Sequence, residues 1–132
     1  MREYIFRGYD AVGDKCWVFG DLVHNKKVTK TGLEDRVMVG GYEVVPESVG
    51  LFTGLKDKDG KDIYEGDIIG YTCYIDDDDP EVYCENIVMF VDGVFCMDDD
   101  GDYPLKNAIY EASYFDGVFI IGSEYERKKS ED

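Results

Sequence analysis

Glycine-bearing turns recur between short runs in which apolar and polar residues alternate. Asp59-Gly60 and Asp92-Gly93 supply the positive φ that a two-residue hairpin turn requires, and Gly40-Gly41 reads as a tight hairpin or a bulge. The strongest of these signals is Asp92-Gly93, set between Asn86 to Val91 and Val94-Phe95-Cys96-Met97. A chain broken this often has little room for long helices. Its period-two patterning directs it into antiparallel sheets.

The remaining runs follow the same logic. Glu3 to Tyr9 reads as a strand, Val12 to Lys15 as a turn, and Cys16 to Val23 as the returning strand. Asn25-Lys26-Lys27 reads as a second turn, with a weak strand through Val28. Pro46 opens at most one helical turn, and Glu65-Gly66-Asp67 turns into a strand from Ile68 to Ile75. Asp76-Asp77-Asp78-Asp79-Pro80 ends that strand, because adjacent like charges repel and proline lacks an amide donor. The period changes only after Asp98-Asp99-Asp100-Gly101-Asp102. Asp102 is placed to cap a helix beginning near Pro104, with Leu105, Ile109 and Ala112 on one face and an end near Ser113. Gly117 to Gly122 is the last buried strand, and the charged tail from Glu124 is expected to fray.

Charge divides the chain. Residues 1–50 carry 7 basic and 8 acidic side chains, whereas residues 51–132 carry 7 basic and 22 acidic ones. Within 76–102 there are 11 acidic residues and no lysine or arginine. A net charge of −16 argues against a surface that grips nucleic acid or an anionic membrane. Direct nucleic-acid binding would fall to Lys26, Lys27, Lys30 and Arg36 in the nearly neutral half. The opening residues hold no apolar signal core, and the longest apolar run, Ile87 to Val91, is far short of a membrane span. The expected compartment is therefore the cytoplasm.

Chemical motifs are sparse. Cys16, Cys73, Cys84 and Cys96 lie 57, 11 and 12 residues apart, and His24 is the sole histidine, so zinc spacings are absent. Small buried or half-buried hydrophobes kept reduced are the expectation. A calcium loop fails at Asp57-x-Asp59-Gly60-x-Asp62, where Gly60 comes too early and Ile68 stands where the distal Glu belongs. It fails again at Asp98 to Asp102, with Cys96 at the first ligand position. No phosphate loop and no nucleophile partner for His24 is found. These residues point to no enzyme, no cofactor and no metal.

The segment Pro46-Glu47-Ser48-Val49-Gly50-Leu51-Phe52-Thr53-Gly54-Leu55-Lys56-Asp57-Lys58-Asp59-Gly60-Lys61-Asp62-Ile63-Tyr64-Glu65-Gly66-Asp67-Ile68-Ile69 resembles the signature of the YopX family, small proteins of bacteriophages and prophages. The opening Arg2-Glu3-x-Ile5-Phe6-Arg7-Gly8, the run Trp17 to His24 and the closing Val118 to Glu126 resemble the family too, with Ser123 where the family usually has Asn. The likeness spans nearly the whole chain. It implies a phage-encoded, mostly-β intracellular protein, and it carries over no catalytic residue. Gly54, Leu55, Asp59, Gly60, Tyr64, Gly66 and Asp67 read as its folding residues.

The expected architecture is mostly β, all-β to α+β, in a single domain over 1–132. An antiparallel N-terminal β lobe covers 1–52 and a signature turn segment covers 53–66. A small SH3-like β-barrel with one short helix covers 67–126, and a frayed tail covers 127–132. Two functions remain in front. One is a protein-interaction or assembly module with a host, phage or self partner, motivated by 11 tyrosines. The other is an acidic nucleic-acid mimic that blocks a host DNA-binding protein, with Asp76, Asp77, Asp78, Asp79, Asp98, Asp99 and Asp100 as its contact surface.

Overall fold

The structure, a computed structural model, describes residues 4–14, 16–74, 77–78, 81–97 and 103–131. It is mostly β with antiparallel pairing, as the turn pattern predicts. The chain gathers into two compact units, Met1–Phe52 and Thr53–Asp132.

In the first unit, β1 (Phe6–Tyr9) pairs antiparallel with β2 (Trp17–Gly20) from Phe6↔Gly20 to Tyr9↔Trp17. A meander of β3 (Leu22–Thr29), β4 (Gly32–Val39) and β5 (Tyr42–Val44) forms the other sheet. Gly40 and Gly41, at φ 60° and 88°, close the β4–β5 hairpin between Val39 and Tyr42. The run from Cys16 to Val23 is two strands, because Gly20 at φ 144° breaks it. Asn25, Lys26 and Lys27 are not a turn. They lie inside β3, paired opposite Arg36, Asp35 and Glu34, and the turn is displaced to Lys30-Thr31. Cross-strand partners explain this: Arg36 Nε donates to Asn25 Oδ1 at 2.6 Å, Lys26 meets Asp35 at 3.1 Å and Lys27 meets Glu43 at 3.0 Å. Val39 and Val44 are the buried centre of this unit. Beside it, the Arg7 guanidinium stacks over Trp17 at 4.3 Å, and Tyr9 meets the same ring edge-on at 5.2 Å. A short 3₁₀ turn at Pro46–Ser48 brings Ser48 Oγ to accept the Tyr9 amide at 2.7 Å.

The strand β6 (Gly50–Lys56) runs across the boundary between the units, and its second half opens the second unit. It turns through Asp57 to Lys61 into β7 (Asp62–Tyr64). β8 (Asp67–Cys73) is the centre of a three-stranded sheet, flanked by β9 (Val82–Ile87) and β12 (Phe119–Ser123). β10 (Met89–Val91) and β11 (Val94–Cys96) form the hairpin expected at Asp92-Gly93, with both turn residues at positive φ. The buried Val88 separates β10 from β9, since its backbone amide and carbonyl are engaged by Asp67 and Gly66.

The first helix, α1 (Leu105–Ala112), stands where the change of period places it. Leu105, Ala108 and Ala112 are its buried face, and Ile109 is half-buried. They pack with Ile63, Ile69, Tyr71, Val88, Met97 and Val118 in one cluster. Each fully buried Ile or Leu there contributes about 1.5–3 kcal/mol. Asp102, expected as the cap of α1, lies outside the described residues; the N-cap position is held by Pro104.

The tail differs from expectation. Residues expected to fray are the second helix, α2 (Glu124–Glu131). Ser123 Oγ accepts the Glu126 amide at 3.1 Å and donates to the Glu126 carboxylate at 3.0 Å. Glu124 and Glu126 lie in the first turn and Lys128 and Lys129 in the last, the order that the helix dipole favours. The strands of the described residues pair into open sheets; closure of residues 67–126 into a barrel is not among the pairings.

Candidate functional site

The signature residues gather around two turns. Gly54, Gly60 and Gly66 all have positive φ, at 83°, 82° and 94°. Leu55 packs against the core cluster and Tyr64 is buried. Asp67 is 1% exposed, and its Oδ2 accepts the Tyr64 amide at 2.8 Å, which closes the Tyr64-to-Asp67 turn. Around that turn, the Gly66 amide donates to the Val88 carbonyl at 2.8 Å and the Glu124 amide donates to the Gly66 carbonyl at 2.7 Å. Asp59 is exposed.

The aspartate that organises the other turn is Asp57, which the sequence pattern raised only as a position of a failed calcium loop. It is 7% exposed, and its Oδ1 accepts the Asp59 and Lys61 amides, both at 2.9 Å. Oδ2 accepts the Ile120 amide of β12 at 3.4 Å, while the Lys58 amide donates to the Val118 carbonyl at 2.8 Å. An Asp three residues before a turn glycine is the local signal that identifies it.

Of the expected acidic surface, Asp77 and Asp78 are exposed, and Asp76, Asp79, Asp98, Asp99 and Asp100 lie outside the described residues. Among the described residues, no three His, Cys, Asp or Glu side chains converge as metal ligands. Two of the four cations named for phosphate contact, Lys26 and Lys27, face carboxylates within the first unit. Cys73 and Cys84, half-buried on neighbouring strands, bring their sulfurs to 3.7 Å.

A different feature stands out at the end of α1. Tyr74, the residue after β8, joins Glu111, Tyr114 and Phe115 in lining a concavity of about 310 Å³. Tyr74, Tyr110 and Tyr114 are exposed, Tyr114 by 72%. The end of α1 positions Tyr110 and Tyr114: they are four residues apart, and the Phe115 and Gly117 amides both donate to the Ala112 carbonyl at 2.9 Å to end the helix. The Tyr110 and Tyr114 rings meet edge-to-face at 5.6 Å, with their hydroxyls hydrogen-bonded at 2.9 Å. Tyr103 donates to Glu111 Oε2 at 2.5 Å and Tyr74 donates to Asp77 Oδ1 at 2.5 Å. The hydroxyls of Tyr74, Tyr103 and Tyr114 are held in their protonated form. The bond with Tyr110 raises the Tyr114 pKa, the bond to Asp77 raises that of Tyr74, and burial followed by the Glu111 bond raises that of Tyr103. The walls are therefore neutral aromatic faces around a carboxylate. Composition counted these tyrosines without locating them; the i, i+4 spacing of Tyr110 and Tyr114 was the available signal.

The family model described as YopX protein matches residues 5–129. The chain belongs to the YopX family. Its signature, in this YopX member, surrounds the turns at Asp57 and Asp67 rather than the tyrosine-lined concavity. No curated protein matches the sequence. Among solved structures, the chain is similar to the crystal structure of protein EF1440 from Enterococcus faecalis, at 22% identity and a TM-score of 0.55. That likeness covers 98% of this chain and 99% of the other. It shows a shared fold. Among the described residues no helix is long and apolar enough to cross a membrane.

Proposed function

We propose that this YopX member is a non-catalytic protein-interaction module, encoded by a phage or prophage and acting in the cytoplasm of the bacterial host. The observation that carries this reading is the exposure of Tyr74 and Tyr114 around one concavity, with the exposed Tyr110 ring packed against Tyr114. Tyrosine offers a large contact area and a polar tip at low entropy cost, which suits a contact face. The scaffold in this reading is an SH3-like arrangement of residues 67–126, supported by the antiparallel β12-β8-β9 sheet.

The test is affinity capture from host lysate with the wild type and a Tyr110→Ala/Tyr114→Ala variant, across a salt series. Partners held by the wild type and lost by the variant support the module. Partners held equally by both count against it. The second reading, an acidic nucleic-acid mimic, rests on the 11 acidic residues and absent cations of 76–102. It requires partners that dissociate steeply with salt and do not depend on the tyrosines.

A further inference from the structure

We propose that the concavity lined by Tyr74, Glu111, Tyr114 and Phe115 receives an arginine side chain from a basic segment of the partner protein. The inference rests on the interaction reading and gives that contact face its chemistry. Three features of the site converge on a planar cation.

Aromatic faces attract cations through the negative face of the ring quadrupole, and three of the four lining residues named here are aromatic. The fourth, Glu111, supplies a carboxylate that the Tyr103 hydroxyl already holds in place at 2.5 Å. Tyr114 is braced in turn by its edge-to-face contact with Tyr110. The receptor is thus fixed before anything enters it, which lowers the cost of ordering on binding. A guanidinium stacks on an aromatic face and forks onto a carboxylate at once, which an ammonium does not do. At about 310 Å³ the concavity stands at the small end of ligand pockets, so it suits one side chain rather than a cofactor. The field agrees: residues 51–132 carry 22 acidic against 7 basic side chains, which draws a basic segment toward this unit.

The probe is a fluorescein-labelled Gly-Arg-Gly-Arg-Gly peptide, with a control in which citrulline replaces both arginines. Citrulline keeps the shape and removes the charge. Fluorescence anisotropy at about 150 mM salt, where diffuse attraction is screened beyond about 8 Å, reads the affinity. Tyr114→Leu is expected to weaken arginine-peptide binding by about 2- to 30-fold, the range for a cation on an aromatic face. Tyr114→Phe retains the ring face and is expected to stay within about twofold. Glu111→Gln is expected to weaken binding while leaving the far-ultraviolet circular dichroism unchanged. The citrulline peptide is expected to bind more weakly than the arginine peptide to the wild type.

Equal binding by wild type, Tyr114→Leu and Glu111→Gln would overturn the inference, because the attraction would then be diffuse acidity. Equal binding of the citrulline peptide overturns it as well. Lysate capture separates this failure from a failure of the module reading. If capture depends on Tyr110 and Tyr114 while the arginine peptide ignores Tyr114 and Glu111, the arginine receptor is wrong and the contact face stands. If capture ignores the tyrosines too, both fall.

Discussion

Asp57 Oδ2 accepts the backbone amide of Ile120 at 3.4 Å, although 63 residues separate the two in the chain. The same carboxylate closes its own turn through the Asp59 and Lys61 amides. One side chain thereby ties the signature turn to β12. Asp57→Ala leaves those amides without their acceptor and is expected to cost about 2–3 kcal/mol, read by urea unfolding. Asp59→Ala, at an exposed neighbour, is expected to change stability by less than about 0.5 kcal/mol. Equal effects at the two positions would contradict this assignment.

Gly8 of β1 approaches Val44 of β5 closely: a Cβ on Gly8 would lie 2.7 Å from Val44 Cγ1. Gly8→Ala is therefore an overpacking substitution, expected to destabilise by about 1–3 kcal/mol. Adding Val44→Ala opens the space and is expected to recover part of the loss in a double-mutant cycle.

Burial, followed by the hydrogen bond with Cys84, pushes the Cys73 thiol up to about 11. Its ordinary value is 9.0, so the folded state favours the protonated thiol. The resulting stabilisation is fully present below pH 9 and is lost as pH rises toward 11. Iodoacetamide at pH 7.5 is accordingly expected to alkylate the exposed Cys16 well before Cys73, with peptide mass spectrometry as the readout. Unfolding in urea is expected to abolish the difference.

Ser123 is buried and caps α2 through the Glu126 amide. Ser123→Ala is expected to cost about 1 kcal/mol and Ser123→Asn less, because asparagine is also a good cap. Amide hydrogen exchange over Arg127 to Ser130 reads the effect locally. Unchanged protection in Ser123→Ala would mean that the cap does not hold the helix.

Much of the local structure was legible in residue order. The hairpins at Gly40-Gly41 and Asp92-Gly93 and the helix from Leu105 follow from turn chemistry and apolar period. Asn25-Lys26-Lys27 misled because a polar triplet looks like a turn until Arg36, Asp35 and Glu43 are set beside it. The tail misled for a similar reason. Its charge suggested fraying, while Ser123-x-x-Glu126 held the capping signal.

By itself the sequence determined the antiparallel class, the division into a nearly neutral and a strongly acidic stretch, and membership of the family. Those properties depend on local spacing, composition and a long contiguous signature. Only the tertiary structure decided which acidic side chains are structural, burying Asp57 and Asp67 while leaving Asp59 and Asp77 in solvent. It also decided which of the 11 tyrosines meet around one concavity. Burial and partners come from residues far apart in the chain, such as Ile120 for Asp57 and the end of α1 for Tyr74, and no local pattern encodes that distance.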